Sequence, residues 1–325
     1  MQQSIYGKIC SRLHDGILPE DFYIENPRDQ GSHHLPGALD GLSVYLMGFS
    51  HPDASGQKLI ARAVAKASEG DVDQVIAYLQ ELCKKYRAVD AVDELQNYIR
   101  NHVRKLNMRN IYHSAVYILL NSREIEVVKL GMEILEIFVE VDDHSKETLR
   151  RLALYEEFTL PAVWNMRKWE NANEELFALA KKVRGWGRIH VLEYLDANCG
   201  EIKDWLVTEG GNNLVDRNYT AMICWQQGEI EDRLKGKISR EEYKGISYII
   251  EGLLKDEPAP GISALQIDYP ELSLRRYLRQ SEDFSLTEEE YDVILSIKKW
   301  AESQETPSLS LIEDCDRILA AREVE

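Results

Sequence analysis

Residues 183–195, VRGWGRIHVLEYL, set Trp186 between two glycines and follow it with Arg188, His190 and Glu193. A glycine-flanked turn of this kind could cradle a phosphate, hold a histidine as an acid–base group, or turn a corner between helices. A phosphate loop needs a strand ahead of it and commonly Lys-Ser or Lys-Thr after the last glycine. Here Lys181, Lys182 and Arg184 precede Gly185 instead, the pattern of a helix C-terminus closed by a left-handed glycine. The corner is therefore the preferred reading. Trp186 is expected to pack beneath the turn, and Gly187 to let the next helix begin close against it. His190 and Glu193 then stand one turn apart on a shared face, as a hydrogen-bonded structural pair before an acid–base couple. On the concave wall of a helical array the same residues would touch a ligand. Trp164, Trp186, Arg188, His190 and Glu193 are accordingly the candidate binding residues.

A second set lies in the proline-rich start of the chain, where His33, His34 and Asp40 mark an alternative pocket, with His14, Asp15, His51 and Asp53 nearby. Imidazoles and carboxylates can gather a metal, but no HExxH or other zinc spacing is present and adjacent histidines usually point apart. No metal and no cofactor is expected. The basic run YIRNHVRKLNMRN (98–110) offers Arg100, Arg104, Lys105 and Arg109 to phosphates, and reads more simply as a solvated helix face. Of the tryptophans, Trp164, Trp169, Trp186, Trp205 and Trp225 cluster between 164 and 225 and Trp300 stands apart; such residues are usually core, and an exposed subset would mark a partner surface. No GxSxG elbow or paired-acid motif supplies a nucleophile.

Charge narrows the choices. The net charge is -17 over 325 residues, which opposes the electrostatic attraction that dominates binding to nucleic acid or an anionic membrane. The acids concentrate late: residues 256–325 hold 7 Lys and Arg against 17 Asp and Glu, while 61–125 hold 10 against 8. Cys10, Cys83, Cys199, Cys224 and Cys315 are odd in number and form no CxxC, so reduced thiols are expected. With no signal-peptide pattern at the start and no run of about 20 apolar residues, a cytoplasmic location is expected.

The elements that position these residues read as helices. Interior proline breaks a helix, and between Asp53 and Glu257 only Pro161 occurs, which fits the first turn of a helix capped by Thr159. Asp71 with Gln74, Ser239 with Glu242 and Thr287 with Glu290 carry the spacing of helix N-termini. Val72, Val75, Ile76, Leu79 and Leu82 repeat at threes and fours, as do Val92, Leu95, Ile99, Val103 and Leu106. IEVVKLGMEILEIFV (125–139) is apolar around most of its circumference, so neighbours should cover it on more than one side. No alternating strand is evident. A shift of 57 residues lays MEILEIF (132–138) on IHVLEYL (189–195) and KETL (146–149) on KDWL (203–206), the lag of two stacked helical hairpins.

ALYEEFTLPAVWNM (153–166), RGWGRIHVLEYL and EIKDWLV (201–207), and more loosely PGALDGLSVYLMG (36–48), resemble a group of uncharacterised bacterial HEAT-like repeat proteins, some of which carry the label limonene hydroxylase. The resemblance implies a fold without a mechanism, and no glycine-rich dinucleotide fingerprint or haem-ligand cysteine supports a hydroxylase here. The fold expected is all-α, a HEAT-like α-solenoid over 55–255 with an irregular segment at 1–54 and acidic helices at 256–325. Binding of a protein or peptide on the concave face is the expected function, with no nucleic-acid or membrane partner. The alternative is a helical-repeat enzyme, glycosylase-like or a metal-dependent hydrolase, with a pocket beside the N-terminal segment.

Overall fold

The computed structural model describes residues 3–26, 34–257, 259, 267 and 269–322, and among these it is built of helices, with a lone bridge between His14 and Ile17 and no strand. The chain divides into two compact units, Met1–Tyr194 and Leu195–Glu325, a division that falls inside the span expected as one array.

The first unit contains α1 (Ile5–Arg12), α2 (Ala38–Leu42, running into a π-turn Ser43–Met47), α3 (Ala54–Glu69), α4 (Val72–Cys83), α5 (Ala88–His102), α6 (Met108–Asn121), α7 (Ile125–Leu135), α8 (Asp143–Leu152), α9 (Glu156–Met166), α10 (Ala172–Ala180) and α11 (Gly185–Leu192). Helices α5, α7, α9 and α11 pack on one another in succession, and α6, α8 and α10 pair with them. Asp71 accepts from Gln74 N at 3.3 Å at the start of α4, and Gly185 is left-handed (φ 55°) as expected, but it opens α11 and does not cap the preceding helix, because α10 ends at Ala180 with Lys181 as its C-cap. A Cβ at residue 187 would lie 2.8 Å from Thr159 Oγ1, so glycine there admits the close approach of α11 to α9. Every residue of α7 is buried, as its circumference of apolar residues demands.

Pro161 corrects the expectation of a first-turn position. α9 begins five residues earlier at Glu156, with Pro161 inside it, and the Thr159 hydroxyl donates 2.8 Å to Ala153 O instead of capping. The start is fixed by tertiary contact: Tyr155 is buried, its hydroxyl accepting from Ile24 N at 3.1 Å. Neighbours hold the remaining turns while proline removes one backbone bond.

The second unit contains α12 (Gly200–Trp205, followed by a π-turn Leu206–Gly210), α13 (Asn218–Gln227), α14 (Ile230–Arg233), α15 (Arg240–Leu253), α16 (Pro270–Gln280), α17 (Glu288–Ser303) and α18 (Leu309–Arg322). Ser239 with Glu242 and Thr287 with Glu290 form complete capping boxes on α15 and α17. The 57-residue lag coincides with helix ends: Leu135 and Leu192 close α7 and α11, and Asp143 and Gly200 open α8 and α12. Among the described residues no helix is long and apolar enough to cross a membrane.

Candidate functional site: a charged wall under residues 37–51

On α7 three ionisable residues interrupt the apolar surface, and all are covered. Lys129 is 3% exposed, and its Nζ lies 2.6 Å from Asp40 Oδ2, 2.6 Å from Glu157 Oε2 and 3.3 Å from Glu126 Oε1. Burial opposes its charge, but the attraction of Asp40, Glu126 and Glu157 holds its pKa well above the ordinary lysine value. Two of the acids are fixed from behind as well: Glu126 Oε2 accepts from Ala88 N at 2.6 Å and Glu157 Oε1 from Gly37 N at 3.0 Å. Asp40 Oδ1 is buried and finds no partner. One turn beyond Lys129, burial raises the pKa of Glu133 well above the ordinary carboxyl value, reinforced by Glu136 and Asp40.

The other side of this wall is the chain's own segment 37–51. Arg87, at the start of α5, donates to Leu39 O at 2.7 Å and to Ser43 Oγ at 2.6 Å. Asp90 accepts from Ser50 N at 2.9 Å, Glu94 meets His51 Nδ1 at 3.1 Å, and Glu193 accepts from the Tyr45 hydroxyl at 2.8 Å. Two glycines let this strap lie close. Gly37 is left-handed (φ 76°), and a Cβ at Gly41 would fall 2.0 Å from Trp186 Cε3. Thus α5, α7, α9 and α11 each send side chains to one stretch of 15 residues.

The candidate binding residues divide. Trp186, Arg188 and His190 are buried at 4%, 8% and 1% exposure, whereas Glu193 is exposed and Trp164 is half-buried, its Nε1 donating to the Tyr194 hydroxyl at 3.1 Å. Trp186 packs on Gly41, and Arg188 Nε donates 3.1 Å to Val183 O across the corner. His190 does not pair with Glu193, which bonds Tyr45 instead. Its Nε2 is buried without a partner, and its ring lies 6.4 Å from Tyr45 and 6.1 Å from Trp186. Burial and the nearby Lys129 push its pKa down to about 3, so the imidazole is neutral. Of the alternative set, Asp40 belongs to the lysine cluster, His34 is half-buried, and His33 lies outside the described residues.

The basic run lies exposed at Arg100, Arg104, Lys105 and Arg109, as expected, but it is no single helix face: it spans the end of α5, a 3-10 turn at Val103–Lys105 and the start of α6. Among the described residues no three His, Cys, Asp or Glu side chains are grouped to hold a metal ion. Sequence reasoning missed Arg87, Glu126, Lys129 and Glu157; the available signal was Glu126 with Lys129, charged residues three apart on a helix with no polar face. No family model, curated protein or solved structure matches the chain.

Proposed function

We propose that this protein is a protein-binding scaffold of HEAT-like helical repeats, whose inner wall grips residues 37–51 and whose partner meets the outer side of that strap. One observation carries the reading: Val44, Leu46, Met47 and Phe49 are 40, 54, 61 and 45% exposed on a backbone anchored from below by Arg87, Asp90 and Glu193. Four large apolar side chains exposed within six residues form a patch of the kind that marks an interaction site. Anchoring lowers the entropy lost when a partner orders it. The repeated lag of helix ends and the successive packing of α5, α7, α9 and α11 support the repeat architecture. The partner is a protein offering an apolar strip, since the acidic chain repels polyanions.

The test is affinity purification from the native cell followed by reconstitution with the purified captured protein. Leu46→Asp combined with Met47→Asp should weaken that complex by at least about tenfold, roughly 1.4 kcal/mol, while the unfolding midpoint stays unchanged. Unaltered affinity in the double variant removes the strap from the interface.

An enzymatic reading has one observation in its favour, a cavity of about 730 Å³ where Glu25 and Asn26 meet α4 and the start of α7, with the buried Glu126 in its lining. Asp40 reaches it only indirectly, through Lys129 to Glu126. Hydrolysis of generic esters or phosphoesters that disappears in Glu126→Gln would favour this reading.

A further inference from the structure

We infer that the cleft between α1, α8 and α10 binds a small organic acid, a single carboxylate carried on an apolar body. The cavity measures about 400 Å³, within the range of small-ligand sites. Its polar side comes from the end of α8, where Arg150 and Arg151 fall in the last turn. Arg150 donates from Nε and Nη2 to Glu175 at 2.9 and 2.7 Å, with its guanidinium 5.2 Å from the centre of the Trp169 ring. Arg151 donates from Nε to Glu147 at 2.8 Å, and its Nη1 lies 3.7 Å from Cys10 Sγ. These contacts hold both forks in place and leave donors over, because each guanidinium has five N–H groups. Lys182, in the turn after α10, also lines the cleft and has no carboxylate partner among the described residues.

Three cations face two carboxylates, so the cleft carries a surplus of one positive charge in a chain whose net charge is -17. The rest of the lining is apolar, from Leu13, Leu154, Met166 and Leu179. One anionic head balances the surplus, and an apolar body covers the opposite wall. A strongly charged polyanion would leave most of its charge uncompensated here.

The half-buried Cys10 supplies the readout, because Cys83, Cys224 and Cys315 are buried and Cys199→Ser removes the exposed thiol. In the full chain carrying that substitution, about 1 mM decanoate should slow alkylation of Cys10 by N-ethylmaleimide roughly fivefold, corresponding to a Kd near ~0.25 mM. Lys182→Glu should abolish the protection while leaving the circular dichroism spectrum intact. Neither decanol nor inorganic phosphate at the same concentration should protect. Absence of protection by decanoate overturns the proposal, as does equal protection in Lys182→Glu. Equal protection by decanol removes the cationic side, and equal protection by phosphate removes the apolar one.

Discussion

Within Met1–Tyr194 the covered polar side chains include Asp40, Asp90, Glu126, Lys129, Glu133, Glu136 and Arg188; within Leu195–Glu325, Glu290 is the one charged side chain so covered among the described residues. The interior of the second unit is held by neutral groups. Tyr243 and Tyr277 stack at 4.7 Å and 5°, and Ser247 Oγ lies 2.7 Å from the Tyr277 hydroxyl while donating 2.7 Å to Tyr243 O. Glu290 itself serves a capping box and accepts from Nη2 of the half-buried Arg240 at 2.8 Å. The contrast follows what each interior must hold. Helices packed on helices satisfy their own backbone and need only apolar contact, whereas the strap at 37–51 presents free N–H and C=O groups that side chains of the wall must meet. Buried ion pairs contribute little net stability but strongly disfavour arrangements that break them, so the lysine cluster fixes where the strap lies.

Removing the cation is the harshest test of this contrast. Lys129→Met leaves three carboxylates facing one another, and should cost about 3–5 kcal/mol in urea unfolding of the full chain. A loss below about 1 kcal/mol would mean that the cluster is dispensable. Next in size is Gly41→Ala, whose new methyl would overlap the Trp186 ring and should destabilise by about 1–3 kcal/mol. Combining it with Trp186→Leu should recover part of that loss if the contact is the cause.

The dependence of stability on pH separates the units further. His190 is depressed to about 3 in the folded chain against roughly 6.5 when unfolded, so its contribution is complete above about pH 6.5 and is lost as pH falls toward 3. Glu133 has the opposite sign: its folded pKa is raised, so the stability it contributes is present below the unfolded value of about 4.3 and lost as pH rises through the folded pKa. Between about pH 4.3 and 6.5 the two slopes oppose. His190→Leu should therefore leave a profile that falls with rising pH, and Glu133→Gln one that climbs more steeply, each by up to about 1.4 kcal/mol per pH unit in denaturant titrations. An unchanged profile in both variants would remove the charged interior from the account. The smallest effect belongs to the second unit, where Tyr277→Phe should cost about 1 kcal/mol and leave the profile below pH 8 unaltered.

Much of the helical framework is legible from short-range chemistry. Ser239 with Glu242, Thr287 with Glu290, and Asp71 with Gln74 each satisfy backbone donors within one turn, so spacing alone locates them. The left-handed Gly185 is visible for the same reason. Thr159 misled because a hydroxyl ahead of a proline resembles a cap, while the actual start of α9 depends on where Tyr155 meets Ile24, 131 positions away. The candidate site was half legible. Trp186, His190 and Asp40, all singled out in the sequence, come together at the strap, but spacing carried no sign that the first two are covered by a strap that includes the third.

The sequence by itself determined that the described chain is helical, where its caps and its Gly185 corner fall, and that α7 is enclosed, because each of these depends on interactions within a few residues or on the period of a single helix. Only the tertiary structure decided that Asp40, Glu126 and Glu157 converge on Lys129 and that His190 Nε2 is left unpaired. Those facts depend on how far apart distant segments come to rest, and a charge shows no preference in sequence for the partner it meets across a packed interface.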